Sequence, residues 1–162
     1  MEGYDFTKDD LAQLILRRFY PERTQRESAV LRDYLLAHGA EYDRFSFSVR
    51  VGFGQVLSPN LLPGIRRSTN FSSRKRMDML GWQGNSPTIV EVKERVTAAA
   101  LGQILTYQQL FLEELPDAPP PRLVIIGRYS DQDTLRSLAS YGIDVYLYDP
   151  AVAAGGADGG RV

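Results

Sequence analysis

Apolar positions recur along this chain with two different periods, and the changes between them mark out its elements. Over residues 7–20 (TKDDLAQLILRRFY), Leu11, Leu14, Ile15 and Arg18 follow helical spacing behind Thr7 as a cap and acids in the first turn. Pro21 is the stop expected for that helix. A second helix is predicted from about Arg26 to His38, with Val30, Leu31, Tyr34 and Leu35 as its apolar stripe and Gly39 as its end. Phe45, Phe47, Val49, Val51 and Phe53 then alternate strictly, the pattern of a half-buried strand, and Gly52 and Gly54 suit a bulge or bend. Residues 58–73 read as a loop, because two prolines and many small polar residues interrupt any period.

From Arg74 to Gln109 the pattern is strand, turn, strand, helix. Strand residues two apart share a face, so in TIVEVKERV the side chains of Ile89, Glu91 and Lys93 point one way and Thr88, Val90 and Val92 the other. The helix is predicted from Thr97, as cap, to about Leu115, with Pro116 as stop. Its stripe is Leu101, Ile104, Leu105, Phe111, Leu112 and Leu115, and Gln103 and Tyr107 share a face away from that stripe, one turn apart. Beyond the stiff PDAPPP connection, RLVIIGR (122–128) has the continuous apolar character of a strand buried on both faces. A surface helix from Asp131 to Tyr141 and a last strand over 143–148 complete the pattern. A meander followed by crossover units predicts an α/β fold, a mixed β-sheet with helices on both faces.

Composition narrows the picture. With 162 residues, 43% hydrophobic and 24% charged, the chain suits one globular domain over 1–149, followed by a tail (150–162) with too little to bury and expected to be disordered. It has no apolar run of membrane-spanning length and no signal-like start, so a cytoplasmic protein is expected. Without cysteine there is no disulfide, thiolate nucleophile or thiolate metal site. The single histidine, His38, rules out multi-histidine zinc sites, and no nucleophile elbow accompanies it. A net charge of −1 argues against a general coating by nucleic acid, which leaves local charge to be considered.

The local chemistry gathers on the central stretch. Glu91 and Lys93 stand side by side on a strand whose other residues are apolar, and Asp78 comes from the neighbouring strand. Two carboxylates and a cation at the end of a hairpin suit a hard divalent ion and a phosphate. The alternative is a salt-bridged Glu91–Lys93 pair on an edge strand, with Asp78 in a turn. Glu27 lies on the apolar stripe of the second helix, either as a first-turn acid favoured by the helix dipole or as an inward-facing ligand. Arg66, Arg67, Arg74, Lys75 and Arg76 form a run without an acid just before Asp78, suited to phosphate contacts or to a solvated loop.

The ordered set Asp78-Met79-Leu80-Gly81, Glu91-Val92-Lys93 and Gly102-Gln103-Ile104-Leu105-Thr106-Tyr107 resembles the PD-(D/E)XK nuclease superfamily, and within it the C-terminal nuclease domain of the NucS-type mismatch endonucleases. The resemblance implies a restriction-endonuclease-like fold with an α-β-β-β-α-β core and metal-dependent hydrolysis of DNA. It implies magnesium, replaceable by manganese, held by Asp78, Glu91 and the Val92 carbonyl, with Glu27 as a further ligand. Lys93 would then stabilise charge or position water, and Gln103 and Tyr107 would flank the metal centre. The N-terminal DNA-binding domain of those enzymes has no counterpart here, so mismatch recognition is not implied. Cutting two strands would need a partner, such as a homodimer. A DNA-binding or assembly module that does not cut, and a nuclease acting on RNA, are the competing expectations.

Overall fold

The computed structural model describes residues 1–55, 60 and 62–148. Within them six strands form one sheet whose spatial order follows the chain: β1 (Glu2–Thr7), β2 (Arg44–Val51), β3 (Lys75–Gln83), β4 (Ser86–Val92), β5 (Arg122–Gly127) and β6 (Asp144–Leu147). Successive strands from β1 to β4 are antiparallel, whereas β4, β5 and β6 are parallel. Parallel neighbours need long crossovers, and the helices α4 (Ala99–Glu114) and α5 (Gln132–Ser140) supply them. The earlier helices are α1 (Leu11–Leu16), α2 (Gln25–His38) and α3 (Pro63–Ser73). The architecture is the expected α/β one.

The sheet divides two apolar layers. In one, Leu14 of α1 and Val30, Leu31, Tyr34 and Leu35 of α2 pack with Phe45, Phe47, Met79, Val90 and Val92. In the other, Ala100, Ile104 and Phe111 of α4 and Leu138 of α5 pack with Val49, Val51, Met77, Leu80, Ile89 and Ile125. Burial of these aliphatic and aromatic side chains is the main force that holds helices to sheet.

The strict alternation expected from Phe45 to Phe53 is broken at Ser48. Phe47 belongs to the first layer and Val49, two residues on, to the second. Ser48 between them has φ of 54°, an uncommon conformation for a residue with a side chain, and the β1–β2 register shifts beside it. Met79 and Met77, which pair with Phe47 and Val49 on β3, are divided between the layers in the same way. The reversal thus falls at Asp78. Phe53 lies beyond the strand and is 81% exposed.

Three boundaries also differ from expectation. The chain starts with a strand, and Thr7 forms a capping box with Asp10 at a 3-10 turn (Lys8–Asp10) before the short α1, which ends at Leu16 rather than near Pro21. A helix, α3, occupies most of the stretch expected as loop, with Pro63 at its start, where a missing N–H leaves no bond unmade. Thr97 is not the cap of α4, which begins at Ala99 behind Ala98. The expected tail over 150–162 lies outside the described residues.

The bend after β2 is the docking point of α3. Gly54 has φ of +74°, Asn70 Nδ2 donates to the Phe53 carbonyl at 2.5 Å, and the Gln55 N–H donates to Ser73 Oγ at 2.8 Å. A Cβ on Gly54 would run into the Asn70 carbonyl and stand 2.8 Å from Ser73 Oγ. Gly54→Ala is therefore expected to lower stability by about 1–3 kcal/mol in urea denaturation, through left-handed strain together with the clash. Unchanged stability would mean that α3 moves aside without loss.

Candidate active site

The β3–β4 ladder ends at Met79 and Val90, and the strands separate beyond that pair. The Val92 N–H, which would otherwise face the missing ladder partner, donates to Asp78 Oδ2 at 2.8 Å. On its other side β4 stays in register with β5, and the Lys93 N–H donates to the Ile126 carbonyl at 2.9 Å. This opening is where the candidate residues meet. A cleft of about 430 Å³ is lined by Asp78, Glu91, Lys93, Gln103, Tyr107 and Glu27, together with Arg23, Arg50, Arg74, Lys75 and Arg76.

Glu91 is the most unusual group in it. Its side chain is 0% exposed, and Lys93 Nζ stands 2.6 Å from its Oε1. Apart from that ammonium, neither Glu91 oxygen has a hydrogen-bond partner among the described residues. Burial, with the nearby Asp78 charge adding to it, pushes the Glu91 carboxyl up to about 7, while the Lys93 charge pulls the other way. The Asp78 carboxyl is likewise raised, by burial, against the lowering effects of Arg23 and the Val92 N–H. Two carboxylates that would each hold a proton more readily than usual, side by side in a buried site, are arranged for a cation.

The helix α4 brings the next pair. Gln103 Nε2 donates to Tyr107 Oη at 2.6 Å, which leaves the Tyr107 proton to be donated elsewhere. Tyr107 does not lie off the buried stripe as expected. It is buried with Ala100, Ile104 and Phe111, the residues that face the sheet. Burial, aided by the Glu91 charge, pushes its hydroxyl up to about 12, so it keeps its proton throughout the neutral range.

Glu27 has taken the local role. Thr24 caps α2, and its N–H and hydroxyl donate to Glu27 Oε2 at 3.0 and 2.9 Å, a capping box. The carboxylate borders the cleft, and these contacts account for its position. The spacing Thr24-x-x-Glu27 was the sequence signal for it.

The basic run is less free of acids in space than along the chain. Arg74 Nε donates to the Gly52 carbonyl at 2.6 Å, and its Nη2 lies 3.0 Å from Glu114 Oε1. Arg76 is paired with Glu22, which also lies 3.6 Å from Arg50. Lys75 is exposed at the rim. The side chains of Arg66 and Arg67, on α3, lie outside the described residues.

The residue that sequence reading missed is Arg23. Its side chain, 5% exposed, is ion-paired through Nη2 with Asp78 Oδ1. No local motif announces a contact across that separation in the chain.

As for an ion, no group of three or more His, Cys, Asp or Glu side chains that could hold a metal occurs among the described residues. Magnesium does not need one, since it keeps several waters and uses one or two carboxylates. Asp78 and Glu91 are oxygen donors of that kind. No helix among the described residues is long and apolar enough to cross a membrane. No protein-family model matches this chain, and no curated protein or solved structure matches it either.

Proposed function

We propose that this protein is a magnesium-dependent nuclease that hydrolyses phosphodiester bonds in DNA, and that manganese can replace magnesium. The observation that carries the reading is the fully buried Glu91 carboxylate, 2.6 Å from the Lys93 ammonium and beside Asp78, where the sheet opens into the cleft. Two buried carboxylates meeting in one cleft form a donor set that a hard cation with its own waters can use, alongside the resident Lys93 and Arg23. Asp78, Glu91 and the Val92 carbonyl would hold the divalent ion, whose charge activates water and stabilises the phosphate and leaving oxygens.

The chain's own groups supply the rest. The Lys93 ammonium, 30% exposed towards the cleft, neutralises a phosphate oxygen or orients the attacking water. The Tyr107 hydroxyl, fixed by Gln103, offers a proton donor in the same wall. Lys75 and Arg76 line the cleft as phosphate contacts that position the strand. Cutting both strands of a duplex would take a second copy or a partner.

One observation favours a second reading. Arg23 already neutralises Asp78, as it would in a nuclease-like scaffold that binds DNA without cutting it.

The test is cleavage of supercoiled plasmid and of single-stranded, flap, mismatched and four-way-junction DNAs, with matched RNA beside them. Each is run with magnesium, with manganese and with chelator, for the native protein and Asp78→Asn. Metal-dependent cutting that the variant lacks is the expected result. DNA binding without cutting would support the scaffold, and preferential cutting of RNA would replace the substrate.

A further inference from the structure

The two buried carboxylates of the cleft are each paired with a cation before any ion arrives. Asp78 and Glu91 are matched by Arg23 and Lys93, each in contact with one carboxylate. A dication added to this set would leave two positive charges in excess in a largely buried site, which is unfavourable unless a resident cation moves away.

The two cations differ in how firmly they are satisfied. Lys93 is partly exposed and keeps access to water. Arg23 is almost wholly buried, and its Nη1 donates to the carbonyl of the adjoining Glu22 at 3.1 Å. Its Nη2 is paired with Asp78 Oδ1, and its Nε has no hydrogen-bond partner among the described residues. An arginine built in for stability normally has its donor fork filled in good geometry. This one is held by its contact with Asp78 and a single backbone bond to Glu22, with Nε unfilled among the described residues.

The turn that carries Arg23 is also strained. Glu22 has φ of 57°, and the turn is pinned on either side of its backbone by Ser48 Oγ donating to the Pro21 carbonyl at 3.0 Å and by the Glu22–Arg76 ion pair. Ser48 is the residue at which β2 reverses its faces, and the flanking pairs Phe47–Met79 and Val49–Met77 set it level with Asp78.

We propose that Arg23 is an internal counter-ion that competes with the divalent ion for Asp78 and gives way when the ion binds. The inference rests on the metal-site reading above and adds what sets the affinity of that site. In the metal-free protein Arg23 keeps the carboxylate pair neutralised. Metal binding then includes the work of displacing it, so the ion is held more weakly than Asp78 and Glu91 alone would hold it.

The experiment is calorimetric titration of the whole chain with manganese, for the native protein, Arg23→Met, Asp78→Asn and the double variant, with circular dichroism to check folding. At a pH that keeps both carboxylates ionised, Arg23→Met is expected to bind manganese roughly tenfold more tightly or better, and the gain is expected to vanish when Asp78→Asn is added. Should Arg23→Met not fold, Arg23→Gln replaces it, with the same expectation. Asp78-dependent binding in the native protein that is unchanged or weakened in the folded Arg23 variant would overturn the counter-ion and leave the metal site standing. Absence of manganese binding in every variant would overturn both.

Discussion

Glu91→Gln is expected to abolish metal-dependent cleavage and, in the same molecule, to stabilise the metal-free fold at alkaline pH. The two effects share one cause. A carboxyl whose pKa is higher in the folded than in the unfolded chain binds its proton more tightly when folded. Glu91 rises from 4.5 to about 7, chiefly through burial, so its contribution favours folding below the lower value and is lost as pH rises through the upper one. Above that point the native protein must keep a fully buried carboxylate offset by Lys93, a partly exposed ammonium. The amide variant has no charge to keep. The gap between the two proteins is expected to open across that window to on the order of 3 kcal/mol, and to close in acid. Magnesium should raise the unfolding midpoint of the native protein and leave that of Glu91→Gln unchanged. Denaturant titrations across the pH window, with and without magnesium, measure both effects. A variant that is less stable than the native protein above neutrality would make Glu91 a structural partner of Lys93 and remove the argument for a cation.

What could be read from the chain follows from how local each signal is. The hairpin of β3 and β4, with α4 behind it, was legible because apolar period, turn residues and motif charges all lie within one stretch. The pairing of Glu91 with Lys93 on one face followed from strand geometry alone. The strand β1 left little mark, since an exposed edge buries almost nothing and so writes no alternation. The helix α3 was hidden because Pro63 and the small polar residues after it are compatible with either state, and the proline proved to be a helix start. Tyr107 falls off the apparent stripe of α4 because the leucines at 101, 105, 112 and 115, only partly buried, draw that stripe away from the sheet. The reversal at Ser48 has no sequence signature, because a positive φ at a serine is imposed by its surroundings. The counter-charges of the basic run, Glu22 and Glu114, and the hold of Arg23 on Asp78, join segments distant in sequence and exist only in the folded chain.

Lys93→Met is expected to slow the chemical step roughly 10²–10³-fold, the usual cost of removing a donor aimed at developing charge. It is also expected to move the pH at which metal binds upwards. The direction follows from the balance at Glu91: burial and the Asp78 charge raise its pKa, and Lys93 is the first influence that lowers it. Without the ammonium the carboxyl keeps its proton to higher pH, and a metal must displace that proton to bind. These two roles of Lys93 can be separated. Single-turnover rates at saturating protein report the chemical step apart from DNA binding, and raising the pH at saturating manganese restores the ionised Glu91. If the native rate then returns, Lys93 serves only as counter-charge to Glu91, and the 2.6 Å contact between them is its whole function. If the deficit persists with the metal site filled, the lost group is one that acts on the phosphate or the attacking water. The second outcome is the expected one, because the Lys93 ammonium, unlike the buried Glu91 oxygens, retains access to the cleft.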